Sequence, residues 1–236
     1  MGVELDTAGR SGYRLVIFDF DGTLADSFPW FAAVLNEMAA RWRFRPVAAG
    51  EEERLRGMSA REIMAHLRVS GWKMPLVAAD LRRRMRAEIH CIRRFGGVDR
   101  MLAQLHGAGI ALGLASSNSA DNVRRVLGAG NLRLIRYLET GAAIHGKAAR
   151  LRRVLRRSGV PGTQAVYIGD EIRDIEAARA AGIAAGCVGW GYNRLDLLRA
   201  AGPDLVFDRI DDIAPRLATS GARISASDRG SRQCGS

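Results

Sequence analysis

The chain of 236 residues is short of cysteine, short of lysine, and without any long apolar run. Its three cysteines, Cys91, Cys187 and Cys234, are odd in number, widely spaced, and form no CxxC pair. That pattern excludes a zinc-finger arrangement and a disulfide framework, and fits thiols in a reducing compartment. No apolar stretch reaches the ~18 residues that a membrane span needs. The first residues, MGVELDTAGRSGYR, lack the charged and apolar regions of a signal peptide, so a cytoplasmic protein is expected. No internal repeat is visible. Of 36 basic residues only two are lysines, Lys73 and Lys147, the rest being arginine. A lone lysine in such a chain invites the question of why arginine would not serve there.

The arginines carry the net charge to +11 and the sequence pI to about 10.8. Such a charge could mark a polyanion-binding surface. Here the basic residues are spread along the whole chain, and no aromatic-interleaved motif accompanies them. That distribution reads as solvated helix faces and argues against nucleic acid as a partner. Hydrophobic content of 47% and charged content of 26% are ordinary for a globular domain.

Periodicity predicts an α/β protein. Residues 15–20 read as a buried strand. From Phe28 to about Phe95 the pattern is helical, with no convincing strand. FPWFAAVLNEMAARW has apolar residues at three- and four-residue spacing. SAREIMAHLRV opens on Ser59 with Glu62 three residues on, a capping box. DLRRRMRAEIHCIRRF, from Asp80, gives a third helix with an apolar stripe and an arginine-rich opposite face. After Gly96-Gly97, strands and helices alternate: VDRMLAQLHGAG (helix), IALGLASS (strand), DNVRRVLG (short helix), a weak strand within 134–143, GKAARLRRVLRRSG (helix), AVYIGD (strand), EIRDIEAARAAG (helix), IAAGCVGW and DLVF (strands). This alternation implies a Rossmann-like, doubly wound parallel sheet. The expected division is a core of residues 13–27 and 96–217, a helical cap of residues 28–95, and flexible termini at 1–12 and 218–236.

In such sheets, ligands bind at the carboxyl ends of the strands. The first strand ends in Asp19-Phe20-Asp21, with both acids expected on one side. The second ends in Ser116 and Ser117. The AVYIG strand ends in Asp170, with Asp174 one helical turn on. Lys147 opens a helix, where an ammonium opposes the helix dipole and so calls for a nearby anion. Converging carboxylates repel one another, and a hard divalent cation such as Mg²⁺ removes that repulsion. Lysine and serine hydroxyls beside the metal form a phosphate cradle. The Gly22 turn is expected to aim backbone N–H groups at the same anion.

DFDGTLADS, LASSN, GKAARL and YIGDEIRD resemble, in order, the four motifs of the haloacid dehalogenase superfamily, at the spacing of its phosphoglycolate phosphatase-like members. The resemblance covers about residues 13–215, and the helical insertion resembles that family's cap. It implies Asp19 as nucleophile and Asp21 as the acid and base. It implies Mg²⁺ held by the Asp19 carboxylate, the Asp21 carbonyl, Asp170 and Asp174, with Glu171 within reach of the metal shell. Ser116 and Lys147 would hold the phosphoryl oxygens, and Lys147 would also restrain Asp19. Gly22, Thr23, Ser117 and Asn118 are candidate substrate contacts. LRGMSAREIMAHL resembles the cap stretch that faces the active site, so Arg56 and Arg61 could contact an acidic substrate group. Asp21 sets the chain apart from dehalogenases and phosphonatases, which lack an acid there. The latter use a cap lysine, and Lys73 is the only lysine in this cap. Lys147 is followed by Ala148 where the family more usually has proline. The implied activity is a Mg²⁺-dependent phosphatase of a small phosphorylated metabolite, phosphoglycolate or a sugar phosphate. A phosphomutase of the same superfamily is the alternative, as is a non-catalytic polyanion-binding protein. Monomer and homodimer both remain open.

Overall fold

A computed structural model describes residues 12–58, 60–141 and 146–218; the side chains of Ala60 and Arg61 also fall outside the description. The Ser59 capping box, Cys234, the residue 1–11 leader and the tail from 219 lie outside the described residues.

The apolar run after Arg14 forms strand β1 (Leu15–Phe18), fully buried on both faces. β2 (Ala25–Asp26) follows a tight turn and leads into α1 (Phe28–Trp42). Then come α2 (Glu52–Leu55), α3 (Ala60–His66) and α4 (Met74–Ala87). A two-residue strand, β3 (Arg93–Arg94), pairs antiparallel with β2. The remaining elements alternate: α5 (Val98–Gly107), β4 (Ala111–Ala115), α6 (Ala120–Leu134), β5 (Ile135–Glu139), α7 (Gly146–Ser158), β6 (Ala165–Gly169), α8 (Ile172–Ala181), β7 (Ala184–Val188), α9 (Leu195–Ala200), β8 (Leu205–Phe207) and α10 (Ile213–Ala218).

Six strands form one parallel sheet in the order β5-β4-β1-β6-β7-β8. β1 is central, with β4 on one side and β6 on the other. The chain first builds outward through β4 and β5, then crosses to β6. The reversal therefore falls at β1, where such folds open a crevice at the strand ends. The α/β class and the parallel sheet agree with the sequence reading.

Four details differ from it. Residues 28–95 are not wholly helical, because Arg93–Arg94 leaves the segment as a strand. The third helix starts at Met74 rather than Asp80, since Pro75 suits a first helical turn, where its missing N–H costs nothing. It stops at Ala87, and a 3₁₀ turn at Ile89–Cys91 follows. α6 outlasts the expected short helix but is broken at Gly128, whose φ of 75° is open to glycine. α9 and α10 were not anticipated.

One apolar cluster runs from the sheet into the helical segment, joining Phe18 and Phe20 to Trp30, Val34 and Met38. The other face of the sheet has its own cluster, around Leu151, Val154 and Tyr167. Polar ties add to the apolar seam. Asn193, buried, donates to the carbonyls of Arg56 (3.3 Å) and Met58 (3.1 Å), and the Arg194 amide donates to the Arg56 carbonyl at 3.0 Å.

Candidate active site

The sheet delivers three carboxylates to one point. Asp19 follows β1, Asp170 follows β6, and Asp174 lies on the first turn of α8. One oxygen of each falls within 4.8 Å of the others, and all three side chains are buried. Lys147, at the start of α7, reaches Asp19 Oδ2 at 2.5 Å and also bonds Asp174 Oδ1. Its ammonium sits 5.7 Å from the centre of the Tyr167 ring. Burial works against this charge, but Asp174 and Asp19 outweigh it and raise the lysine's pKa above the usual range.

Each acid is held by partners that the fold supplies. Asp19 Oδ1 accepts the Phe20 amide at 2.8 Å. Asp170 Oδ1 accepts the Thr23 hydroxyl at 2.7 Å, and its Oδ2 accepts the Tyr192 amide at 2.8 Å. Asp174 Oδ2 accepts the amides of Asp170 (3.1 Å) and Glu171 (3.0 Å), while Tyr167 donates its hydroxyl to Oδ1 at 3.3 Å. Space is as tightly set as bonding. A Cβ on Gly22 or Gly191 would lie 2.1 Å from Asp170 Oδ2 or Cβ, respectively, so only glycine fits at either position. Burial raises Asp19 above the ordinary carboxylate range, against the pull of Lys147. Burial, then the charge of Glu171, raises Asp170 further. Buried oxygens facing one ammonium are a donor set that a hard divalent cation fits.

Asp21 stands apart from this trio. Its carboxylate accepts Asn118 Nδ2 at 3.1 and 3.3 Å, and it borders a cavity of about 770 Å³. Burial, then the Asp19 charge, push its pKa up to about 6, a value suited to giving and taking protons near neutrality. Asn118 is itself fixed, its Oδ1 accepting the Ser119 amide and Asn122 Nδ2. Ser116 is buried and its Oγ accepts the Asn118 amide at 3.0 Å, which leaves its own O–H to donate elsewhere. Ser117 is exposed and lines the cavity.

Several expectations need correction. The Gly22 amide is not aimed at an anion. It donates to the Ala25 carbonyl at 2.8 Å, and the Thr23 and Leu24 amides close on the Phe20 carbonyl. The glycine is required for close approach to Asp170 and for its φ of 76°. Thr23, buried, is spent on Asp170 rather than on substrate. Arg56 does not line the cavity: its guanidinium donates to the Gly191 carbonyl at 2.5 Å and packs 5.3 Å from the Phe28 ring centre. Arg61's side chain is outside the described residues. Lys73 is committed to the Trp42 carbonyl at 2.8 Å. Glu171 does border the cavity, paired with Arg173.

The sequence reading missed Tyr167, Gly191, Tyr192 and Asn193. The GWGYN stretch, two glycines and two aromatics just past a buried strand at the ligand-binding edge of the sheet, was the signal available.

The sequence profile of haloacid dehalogenase-like hydrolases matches residues 16–188. A phosphoglycolate phosphatase of Synechococcus elongatus is 35% identical over 201 residues, covering 85% of this chain and 95% of that one. A phosphoglycolate phosphatase of Pseudomonas savastanoi is 31% identical over 226 residues, 89% and 82% of the two chains. Among solved structures, a haloacid dehalogenase-like hydrolase of Streptococcus pneumoniae superposes with a TM-score of 0.73 at 18% identity, over 86% of this chain and 98% of the other. The chain belongs to the haloacid dehalogenase-like hydrolase family.

Proposed function

We propose that this chain is a Mg²⁺-dependent phosphatase of a small phosphorylated metabolite, working through an aspartyl-phosphate. The observation that carries the reading is the placement of Asp19, a buried carboxylate at the end of the central strand, gripped by Lys147 beside two further acids. The phosphoglycolate phosphatase relatives support the same class of substrate.

The Asp19 carboxylate attacks phosphorus, and the bond from phosphorus to the ester oxygen breaks. Asp21 gives its proton to the departing oxygen. A water then attacks the aspartyl-phosphate, Asp21 takes its proton, and inorganic phosphate leaves with Asp19 restored. Asn118, donating to both Asp21 oxygens, aims that carboxyl. Lys147 fixes Asp19 and offsets charge on the phosphoryl oxygens, and the Ser116 hydroxyl is positioned to donate to them. Asp19, Asp170 and the Asp21 carbonyl would hold Mg²⁺, with Asp174 beside them. When bound, the ion supplies charge neutralisation of acids and phosphoryl group alike. Residues 28–95 act as the cap over this site, in a cytoplasmic setting.

The test is phosphate release from a panel of phosphorylated metabolites, with Mg²⁺ and with EDTA. Turnover that needs the metal and falls by ~10⁴-fold or more in Asp19→Asn is expected. An active Asp19→Asn protein sinks the nucleophile. Transfer of phosphate to a second hydroxyl, without release, identifies a mutase instead.

A further inference from the structure

The run LRRRMR on α4 resolves into residues with different fates. Arg83 pairs with Asp80 at 2.5 Å, and Arg84 with Glu37 at 2.5 Å. Met85 places its sulfur 3.0 Å from Asn118 Nδ2, the same nitrogen that bonds Asp21. This brings α4 against the residue that holds the proposed acid. Arg82 and Arg86, one turn apart and so on one face, both border the cavity that Asp21 borders. Among the described residues, neither has a hydrogen-bond or ion-pair partner. Arg83, held by Asp80, also borders the cavity, and Phe28, Phe31, Met58, Met64 and Leu81 supply apolar surface around the arginines. Both side chains are exposed at the cavity. Two guanidinium forks left without a partner beside apolar surface, on the cavity that Asp21 also borders, are suited to meet a second anion. A cavity of about 770 Å³ leaves room for a chain between the two charged ends.

We propose that Arg82 and Arg86 select substrates whose non-scissile end is anionic, a carboxylate or a second phosphate, and reject monoesters with neutral tails. The inference deepens the phosphatase reading and rests on it. Arg56, which the sequence offered for this task, is occupied at the Gly191 loop.

The test compares kcat/KM for phosphoglycolate, fructose 1,6-bisphosphate and ethyl phosphate in wild type and in the Arg82→Gln/Arg86→Gln variant. The preference for a doubly anionic ester over ethyl phosphate should fall on the order of 100-fold, mainly through KM. The ester that suffers more tells a carboxylate tail from a phosphate tail. An unchanged preference ratio, with a folded variant, overturns the proposal and leaves the phosphatase standing. Calorimetry on Asp19→Asn protein with Mg²⁺ separates the two claims. If wild type hydrolyses no ester, tighter binding of phosphoglycolate than of ethyl phosphate, abolished by the two arginine substitutions, upholds the receptor while the phosphatase fails. Equal binding of both overturns the receptor.

Discussion

The strand ends and the helical wall facing them are built on opposite plans. At the strand ends every charged group is spoken for. Asp19, Asp170 and Asp174 are tied to Lys147, Thr23, Tyr167 and backbone amides, and glycines stand where any Cβ would collide. On the facing wall, Arg82 and Arg86 have no partner among the described residues, and beside them stand phenylalanines, methionines, a leucine and the paired Arg83. The first plan suits chemistry, since groups already in place pay no reorganisation when charge develops. The second suits recognition, since an unpaired guanidinium is free to meet whatever anion arrives. The difference teaches where substitutions will be tolerated: the rigid side should fail from small steric changes, and the open side should change preference before it loses fold.

The most severe break should come from one methyl group on the rigid side. Gly191→Ala would place a Cβ 2.1 Å from the Asp170 Cβ, and Gly22→Ala one 2.1 Å from Asp170 Oδ2, the latter also at a positive φ. A displacement of this kind is expected to lower kcat/KM by at least about 100-fold. The rise of the thermal midpoint with added Mg²⁺, expected of wild type because the ion binds only the folded acids, should shrink in parallel. Either alanine variant with normal turnover and a normal Mg²⁺ response would show that the acid cluster is looser than its packing indicates.

A milder break lies where the two plans touch. Asn118 contacts Asp21 on one side and Met85 of α4 on the other. Asn118→Ala should leave Asp21 present but unaimed, lowering kcat by roughly 10-fold to 100-fold for alkyl phosphates. Aryl phosphates, whose leaving groups need less protonation, should lose less. An equal loss for both ester types would assign Asn118 to substrate binding rather than to holding the acid.

What could be read from the sequence divides along the same line. Asp19, Asp21, Asp170 and Lys147 stood out because each follows a strand or opens a helix, where an acid or an ammonium is locally out of place, while Ser116 stood out as a strand-end hydroxyl and Asp174 as an acid one helical turn beyond Asp170. Their supports did not stand out. Thr23 meets Asp170 across 147 positions of chain, and nothing near Thr23 announces the pairing. Tyr167 lies within a buried strand and reads as core until its hydroxyl is seen to reach Asp174. The fates of Arg56, Arg82 and Arg86 were hidden for another reason. In a chain so rich in arginine, periodicity gives a basic helix face but cannot tell which guanidinium meets a carbonyl, a carboxylate or open space.

The smallest effect on chemistry, and the clearest test of the separation, is predicted far from the cavity. Glu51 accepts the Ala48 amide at 3.0 Å, His66 Nε2 at 2.6 Å and both terminal nitrogens of Arg45 at 3.0 and 3.1 Å. Those bonds, the Ala48 amide first and then His66, hold its carboxyl down to about 2 from an ordinary 4.5. A carboxyl depressed on folding contributes stability that is fully present above its unfolded pKa and fades as pH falls toward the folded value. Glu51→Gln should therefore lower the thermal midpoint at neutral pH, and its gap from wild type should close as pH drops from about 4.5 toward 2. Turnover at neutral pH and low temperature should stay within about twofold of wild type, because Glu51 anchors a helical segment and borders neither the acids nor the cavity. A gap that stayed constant with pH would mean that the carboxylate charge is not what steadies this corner. A large fall in kcat with the fold intact would mean that the helical segment and the strand-end chemistry are coupled more tightly than their separate plans allow.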